Sequence, residues 1–226
     1  MRTFGDCIRR VYSAGGALTA IVTAQVGTGN HPTCITVDPT GHYVYVTNLD
    51  DDTVSQYTIG TGGALSGIGT IGTGTQPNNV TIDPNGLYAY VANTYTGNGF
   101  NTISQYTIGM GGALSAMNPD AFAEGSFPWF VTVDPSGRYA YVANFGFSTV
   151  SLCTIGAGGA ISGCPASYGS GTSPYYITVD PTGHFVYVAN YDSNSVSEYS
   201  LGTGGALSGI GTIATGSEPV SIAVTN

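Results

Sequence analysis

One segment is repeated four times in this chain, and a fixed repeat decides the architecture before any local pattern does. The first copy is Ile35–Asn48 (ITVDPTGHYVYVTN), and close copies occupy residues 80–93, 131–144 and 177–190. A proline precedes each copy and the start of a fifth, at intervals of 45, 51, 46 and 45 residues: Pro32, Pro77, Pro128, Pro174 and Pro219. The chain is therefore a series of stacked units that bury their apolar faces against one another.

Each unit divides into four short strands, as the first unit illustrates with Ile35–Val37, Tyr43–Val46, Val54–Ile59 and Gly63–Ser66. The turn after the first strand has the sequence Asp-Pro-Thr-Gly, in which Asp bonds the backbone, Pro fixes φ and Gly tolerates positive φ. Four antiparallel strands in about 45 residues are typical of one propeller blade.

The second strand supports the same interpretation. Tyr43 and Tyr45 point to one side of the sheet and Val44 and Val46 to the other, so both faces are apolar and both need cover. Blades packed face to face provide that cover. The sequence predicts an all-β fold, a β-propeller of four-stranded antiparallel blades.

We expect a single propeller domain over residues 1–226. It contains repeats 32–76, 77–127, 128–173 and 174–218 and the terminal pieces 1–31 and 219–226. Pro219–Val224 matches a first strand and Gly15–Ile21 a fourth strand, which predicts a fifth blade shared between the N- and C-termini. Either this blade closes a ring within one chain, or the C-terminal strand completes the N-terminal blade of another molecule. Closure within the chain is favoured, because it removes exposed sheet edges.

Charge excludes several classes of partner. The chain has four basic and thirteen acidic residues, and its net charge is -9. A protein that binds nucleic acid or an anionic membrane needs a basic patch. We therefore expect no nucleic-acid partner, and the lack of a long apolar run predicts no membrane insertion. Residues 1–6 lack the apolar core of a signal peptide, so the segment was removed, the chain is intracellular, or it is part of a longer protein.

The cysteines give one further indication. Cys153 and Cys164 flank a hairpin-like unit, at positions where paired strands would meet disulfide geometry. Two small buried thiols are the alternative, but we favour the disulfide, which persists only in an oxidising compartment. The expected location is extracellular or at the cell surface.

The units resemble the YVTN-type β-propeller repeat, which is named for the tetrapeptide found at Tyr45–Asn48. Variants of it stand at residues 90–93, 141–144 and 187–190, and the resemblance covers Pro32–Gly216. That family is similar to lactonase-type seven-bladed propellers, which include sugar-lactone hydrolases, and it also includes surface and secreted proteins without assigned chemistry. This chain is too short for seven units.

Residues shared by every repeat serve the fold, so specificity is expected in the loops that differ. In the resembled propellers, the loops entering the first strands share one face of the ring. That face combines aromatic side chains and amides, which suit a protein or glycan ligand. The predicted ligand residues are His31, Asn78, Asn79, Trp129, Phe130, Tyr175, Tyr176 and Glu218. As an alternative, Trp129 and its neighbours plug the central channel.

The turn residues Asp38, Asp83, Asp134 and Asp180 are interpreted as structural, and the acidic cluster Asp50–Asp52 as a solvated loop. No catalytic residue, metal site or cofactor is expected. These observations predict a non-catalytic propeller that acts as an extracellular or cell-surface binding or structural protein. One alternative is a lactonase-like hydrolase of a neutral lactone, with His31, Glu218 or the acidic cluster as base. The other is a structural protein that self-assembles as a homo-oligomer through its terminal strands.

Overall fold

A computed structural model describes residues 10–12, 18–20, 26–94, 101–123 and 127–225. Its strands form a hairpin and four sheets of four strands, each antiparallel throughout. This confirms a propeller of four-stranded blades. Among the described residues, the helical elements are two single 3₁₀ turns, and no helix is long and apolar enough to cross a bilayer.

The hairpin comprises β1 (Arg10–Tyr12) and β2 (Leu18–Ala20). Blade 1 comprises β3 (Pro32–Val37), β4 (Tyr43–Asn48), β5 (Thr53–Ile59) and β6 (Leu65–Gly72). Blade 2 comprises β7 (Pro77–Ile82), β8 (Tyr88–Asn93), β9 (Thr102–Ile108) and β10 (Leu114–Ala123). Blade 3 comprises β11 (Pro128–Val133), β12 (Tyr139–Asn144), β13 (Thr149–Ile155) and β14 (Ile161–Gly169). Blade 4 comprises β15 (Pro174–Val179), β16 (Phe185–Asn190), β17 (Ser195–Leu201) and β18 (Leu207–Ala214).

The first strands of successive blades are neighbours, so β3, β7, β11 and β15 line a central channel and the fourth strands lie outside. Apolar clusters fill the spaces between the blades. Between blades 1 and 2, for example, Tyr45 and Val54 pack with Val80 and Tyr106. Both faces of each second strand are thus covered, as the sequence pattern requires.

The same contacts join each blade to the next. The buried hydroxyl of Tyr45 donates to the carbonyl of Gly112 in blade 2 over 2.8 Å, and the ring of Tyr43 lies against the same glycine. The N–H of Leu114 donates to Gln56 Oε1 at 2.7 Å. The pairs Tyr90–Gly159 and Tyr141–Gly205 repeat the hydroxyl contact at the next two junctions. The tyrosine–glycine hydrogen bond therefore recurs at every described junction between blades.

The turn aspartates have the predicted structural role. The Asp38 carboxylate, 4% exposed, accepts the backbone N–H groups of Thr40, His42 and Tyr43 at 2.7–3.1 Å and the Thr40 hydroxyl. Burial opposes ionisation, but the hydrogen bonds from the Thr40 side chain and the three backbone groups outweigh it. Together they hold the pKa of Asp38 below its ordinary value. Asp180 has the same arrangement and a lowered pKa.

The Asp38→Asn variant is expected to lose stability at neutral pH and little at acid pH. A carboxylate whose pKa is lowered by folding stabilises the protein above its unfolded pKa of about 4, and this contribution is lost as the pH falls through the folded value. An amide cannot accept all four donors, so we expect a cost of about 2 kcal/mol at pH 7. Urea unfolding at pH 7 and pH 3 measures it. An equal loss of stability at both pH values would contradict this account. The control is Asp50→Asn, which replaces an exposed carboxylate and should change the stability little.

The disulfide Cys153–Cys164 is present and joins β13 to β14 within blade 3. The shared fifth blade is not assembled among the described residues. There, β1 and β2 pair only with each other, and Pro219–Thr225 form no strand. The expectation of one domain over residues 1–226 stays a prediction.

Candidate functional site

The residue before each blade proline has the same unusual backbone conformation. These five residues, which we term the entry residues, have φ between +52° and +56°: His31, Gln76, Phe127, Ser173 and Glu218. Left-handed backbone costs free energy in residues other than glycine, so other contacts must hold it. The residue after the second strand does so, as when Leu49 N–H donates to the His31 carbonyl at 3.0 Å. The entry side chains therefore occupy equivalent positions around one mouth of the channel.

In blades 1, 3 and 4, a second position contacts the entry residue. In blade 1, Asp50 Oδ2 lies 3.5 Å from His31 Nδ1. In blade 4, the Ser173 hydroxyl donates to Asp192 Oδ2 at 2.5 Å. In blade 3, the equivalent residue is Gly146, and the ring of Phe127 covers it so closely that a Cβ would lie 3.2 Å from the Phe127 side chain. Two equivalent backbone positions therefore hold a different pair of residues in each of these three blades.

The His31–Asp50 pair places an imidazole beside a carboxylate at the mouth, 3.5 Å apart. Both side chains are 57% exposed, so water and a solute can reach them. A carboxylate beside Nδ1 favours the tautomer with its proton on that nitrogen, which leaves the Nε2 lone pair free to accept a proton. Sequence reasoning considered His31 and Asp50 separately and missed the pair. The sequence did hold one indication of the pair: Asp50 follows His31 by nineteen residues, and Asp192 follows Ser173 by the same number.

The other two acids of the cluster have structural roles. Asp51 accepts the Asn30 backbone N–H at 2.6 Å and its side-chain amide at 2.7 Å, and these bonds lower the pKa of Asp51. Asp52 accepts the N–H of Gln76 at 2.8 Å. In the part of the chain that the structure describes, no three His, Cys, Asp or Glu side chains are placed to hold a metal ion.

Aromatic side chains form a continuous row across the mouth from blade 3 to blade 4. The Trp129 ring lies 4.9 Å from Phe145 and 5.2 Å from Tyr175, and Tyr175 stacks on Tyr191 at 5.5 Å. The row ends at Glu218, whose carboxylate accepts the Tyr191 hydroxyl and thereby raises the pKa of Tyr191. Asn194 Oδ1 accepts the N–H of Glu218 at 2.7 Å and positions it.

A second set of predicted ligand residues lies deeper in the channel. Asn79 is 2% exposed, and its amide is engaged: Oδ1 accepts Val131 N–H at 2.8 Å, and Nδ2 lies 3.5 Å from Cys34 Sγ. Phe130 packs on Tyr176 at 4.3 Å. Burial and the nearby Cys34 raise the pKa of Tyr176, and burial raises that of Cys34.

The predicted ligand residues therefore divide into two groups. His31, Trp129, Tyr175 and Glu218 lie at the mouth, together with Asn78, whose amide donates to the Gln76 carbonyl at 3.3 Å. The other three, Asn79, Phe130 and Tyr176, line the channel. Ligand binding by either group stays a prediction, and Phe145 and Tyr191 extend the first group.

The family model described as "Lactonase, 7-bladed beta-propeller" matches residues 60–166 and 93–221. The chain belongs to this lactonase propeller family. No curated protein sequence matches it. Among solved structures, it is similar to a candidate 6-phosphogluconolactonase from Bacteroides uniformis (18% identity, TM-score 0.79, 94% of this chain and 66% of that one). It is also similar to the periplasmic gluconolactonase of Pseudomonas aeruginosa (16% identity, TM-score 0.76, 94% and 64%) and to a functionally unknown protein from Desulfotomaculum acetoxidans (18%, 0.74, 86% and 59%).

The lactonase family match corrects the expected function. The prediction of a non-catalytic binding or structural protein is wrong, and the alternative of a lactonase-like hydrolase is the one supported. That prediction relied on finding no set of catalytic residues, because His31 and Asp50 belong to different loops in sequence. The chain spans about three fifths to two thirds of the length of these structures, which at this identity establish the fold alone.

Proposed function

We propose that this protein is a lactonase-like hydrolase of a neutral lactone and that His31 and Asp50 act as its general base. The observation that carries the proposal is the exposed His31–Asp50 pair, 3.5 Å apart, at the channel mouth of a lactonase-family propeller. A histidine oriented by a carboxylate is a common device for activating water near neutral pH.

The reaction proceeds in two proton transfers. His31 Nε2 removes a proton from a water molecule as its oxygen attacks the lactone carbonyl carbon, and a tetrahedral intermediate forms. The ring C–O bond then breaks, and the imidazolium returns the proton to the departing alkoxide oxygen. The product is an open-chain hydroxy acid. Asp50 orients the ring and stabilises the imidazolium that exists between the two steps.

The charge distribution favours a neutral substrate. Among the side chains that the structure describes, Arg138 is the only arginine or lysine, and it does not lie at the mouth. It stands in the turn at the opposite end of β11, 5.7 Å from the ring of Tyr139. A phosphorylated sugar lactone requires cationic groups near its phosphate. The aromatic row from Trp129 to Tyr191 instead suits the apolar face of a neutral sugar ring.

We also propose that the protein is extracellular or periplasmic. The Cys153–Cys164 disulfide is stable in an oxidising compartment, and one structurally similar protein is a periplasmic gluconolactonase.

A lactone panel tests the function directly. The protein is incubated with neutral γ- and δ-aldonolactones and with a phosphorylated aldonolactone, and acid release is followed in a pH-stat against the spontaneous rate. We expect hydrolysis above background for neutral lactones and none for the phosphorylated one. Absence of turnover on every lactone would overturn the proposal, and turnover of the phosphorylated one alone would overturn its substrate class.

A further inference from the structure

The mouth of the channel has two halves that differ in chemistry. Three positions are equivalent in every blade: the two residues after the blade proline and the residue after the second strand. Blade 1 carries Thr, Cys and Leu at these positions, and blade 2 carries Asn, Asn and Thr. In blades 3 and 4 every one of these positions is aromatic, and we term the six residues the aromatic half: Trp129, Phe130, Phe145, Tyr175, Tyr176 and Tyr191.

The fold does not require these aromatic side chains. The residue after the second strand bonds the entry carbonyl in all four blades, as Leu49 N–H does to His31 at 3.0 Å and Tyr191 N–H to Ser173 at 2.9 Å. The first two strands also pair in the same register in all four blades. Loop positions that vary on a constant backbone are where specificity resides. The aromatic half therefore indicates a ligand.

The aromatic half has two layers. Deeper in the channel, Phe130 and Tyr176 pack on each other with ring centroids 4.3 Å apart. At the mouth, Trp129, Tyr175 and Tyr191 form the aromatic row, and each of them is half-buried, so part of each ring remains accessible. A ligand therefore lies across the mouth, on the row.

The His31–Asp50 pair lies across the channel from this row. The strands β3, β7, β11 and β15 follow one another around the channel, so blade 1 and blade 4 are the two ends of the series. Burial and Cys34 of blade 1 raise the pKa of Tyr176 of blade 4, in agreement with two blades that face each other. His31 and Asp50 belong to blade 1. A substrate that contacts both the pair and the row must span the channel mouth.

The length of the row also exceeds one sugar unit. The ring centroids of Trp129 and Tyr175 are 5.2 Å apart, and those of Tyr175 and Tyr191 are 5.5 Å apart. Each aromatic ring can cover the apolar face of one sugar ring. Three successive rings therefore offer contacts to more than one sugar, whereas a single lactone ring held at His31 would leave the row unused.

The charges around the mouth select a neutral sugar chain. Asp192 accepts the Ser173 hydroxyl at 2.5 Å beside the row, and Glu218 accepts the Tyr191 hydroxyl at its end. Carboxylates form strong hydrogen bonds with sugar hydroxyls and repel anionic groups. An oligosaccharide of neutral units fits this surface better than one that carries uronic acids or phosphate.

We propose that the substrate is the lactone at the reducing end of a neutral oligosaccharide. The lactone ring lies at the His31–Asp50 pair, and the sugars attached to it stack on the aromatic row. Water adds across the ring ester bond, so the product is the same oligosaccharide ending in an open-chain aldonic acid, and the glycosidic bonds stay intact. This inference rests on the proposed lactonase function for its chemistry, but sugar binding by the row can be measured without turnover.

Sugar binding tests the row directly. Trp129 is the only tryptophan in the sequence, so intrinsic fluorescence reports on this site. The protein is titrated with glucose, cellobiose and cellotriose, and with maltose and maltotriose. In one of the two series we expect the trisaccharide to bind about tenfold or more tightly than glucose, as the stacking of further sugars on aromatic anchors implies.

Variants of Tyr175, the middle ring of the row, assign the effect. Tyr175→Ala should weaken trisaccharide binding by about tenfold, whereas Tyr175→Phe keeps the ring and should bind like the wild type. Phe185→Ala is the control, because it removes an exposed aromatic ring next to the turn on the opposite face. Thermal melting checks the fold of each variant, and Tyr191→Ala replaces Tyr175→Ala if the latter melts below the control.

Kinetics on lactones connect the row to the chemistry. Initial rates are compared for gluconolactone and for the lactones of cellobionic and maltobionic acid. We expect one disaccharide lactone to have the higher kcat/KM through a lower KM, and Tyr175→Ala to remove that advantage while kcat changes little. His31→Ala should instead lower kcat on every lactone.

The outcomes separate this inference from the proposed function. Trisaccharide binding that Tyr175→Ala weakens, without turnover of any lactone, would remove the lactonase and keep the row as a sugar site. Turnover of gluconolactone at least as efficient as that of both disaccharide lactones would overturn the inference and keep the lactonase. Sugars that all bind no better than glucose, or trisaccharide binding that Tyr175→Ala leaves intact, would also overturn it.

Discussion

The His31→Ala variant is expected to lower kcat/KM for a neutral lactone by about a hundredfold or more, with KM little changed. General-base catalysis by a positioned side chain contributes roughly 10²–10⁴-fold, and alanine removes the proton acceptor without adding charge. We expect the loss in kcat, because in the proposed mechanism His31 acts on the attacking water and the aromatic row makes the main contact with the sugar ring. Initial rates over a range of lactone concentrations separate the two constants.

Two further variants decide whether this loss reflects catalysis. Asp50→Asn keeps an oxygen beside His31 Nδ1 but removes the charge that stabilises the imidazolium, so we expect a loss of roughly tenfold to a hundredfold. His42→Ala removes an exposed histidine of the opposite face, whose ring bonds Thr40, and should leave the rate unchanged. A His31→Ala enzyme that retains full activity would remove His31 from the mechanism, although turnover by the wild type would still support a lactonase.

The Gly112→Ala variant is expected to lower the free energy of unfolding by about 3 kcal/mol or more. Gly112 has φ +81°, where any Cβ costs about 1–2 kcal/mol. A Cβ here would also overlap the ring of Tyr43, and relieving such a contact in a packed junction costs roughly 1–3 kcal/mol further. The displaced ring belongs to the junction that the Tyr45 hydroxyl fixes, so the damage extends across two blades.

Gly111 supplies a matched control one residue away. It has φ +88°, but nothing lies within 4 Å of its potential Cβ. Gly111→Ala should therefore show only the backbone cost, about 1–2 kcal/mol. Thermal unfolding followed by circular dichroism compares the two, and at about 2–4 °C per kcal/mol the expected difference in Tm is several degrees. Equal Tm values for the two variants would show that the Tyr43 contact contributes nothing to the junction.

The parts of the fold that could be predicted are those that the chain repeats locally. The Asp-Pro turn, the two apolar faces of the second strand and the antiparallel pairing of β13 with β14 follow from neighbouring residues, and so does the Cys153–Cys164 disulfide. The ends could not be predicted in the same way, because no second strand of a fifth blade exists in the sequence to define its register.

The candidate site was only partly predictable for a related reason. Loop variation identified the mouth, but the position of each side chain depends on contacts between loops distant in sequence. His31 meets Asp50 because Leu49 bonds the His31 carbonyl, and Trp129 meets Tyr175 because blades 3 and 4 adjoin. Asn79 likewise accepts the N–H of Val131 in the next blade, a contact that no local pattern predicts.

The left-handed backbone of the entry residues also limits how this site can evolve. Main-chain bonds hold the conformation at the first four positions, so the side chain can change without any change in the loop, and the five positions carry His, Gln, Phe, Ser and Glu. Valine, isoleucine and threonine are excluded, because a branched Cβ is the least compatible with positive φ. Under the proposed function, new substrate preferences can therefore arise by single substitutions at the mouth, drawn from unbranched side chains, while the blades remain as they are.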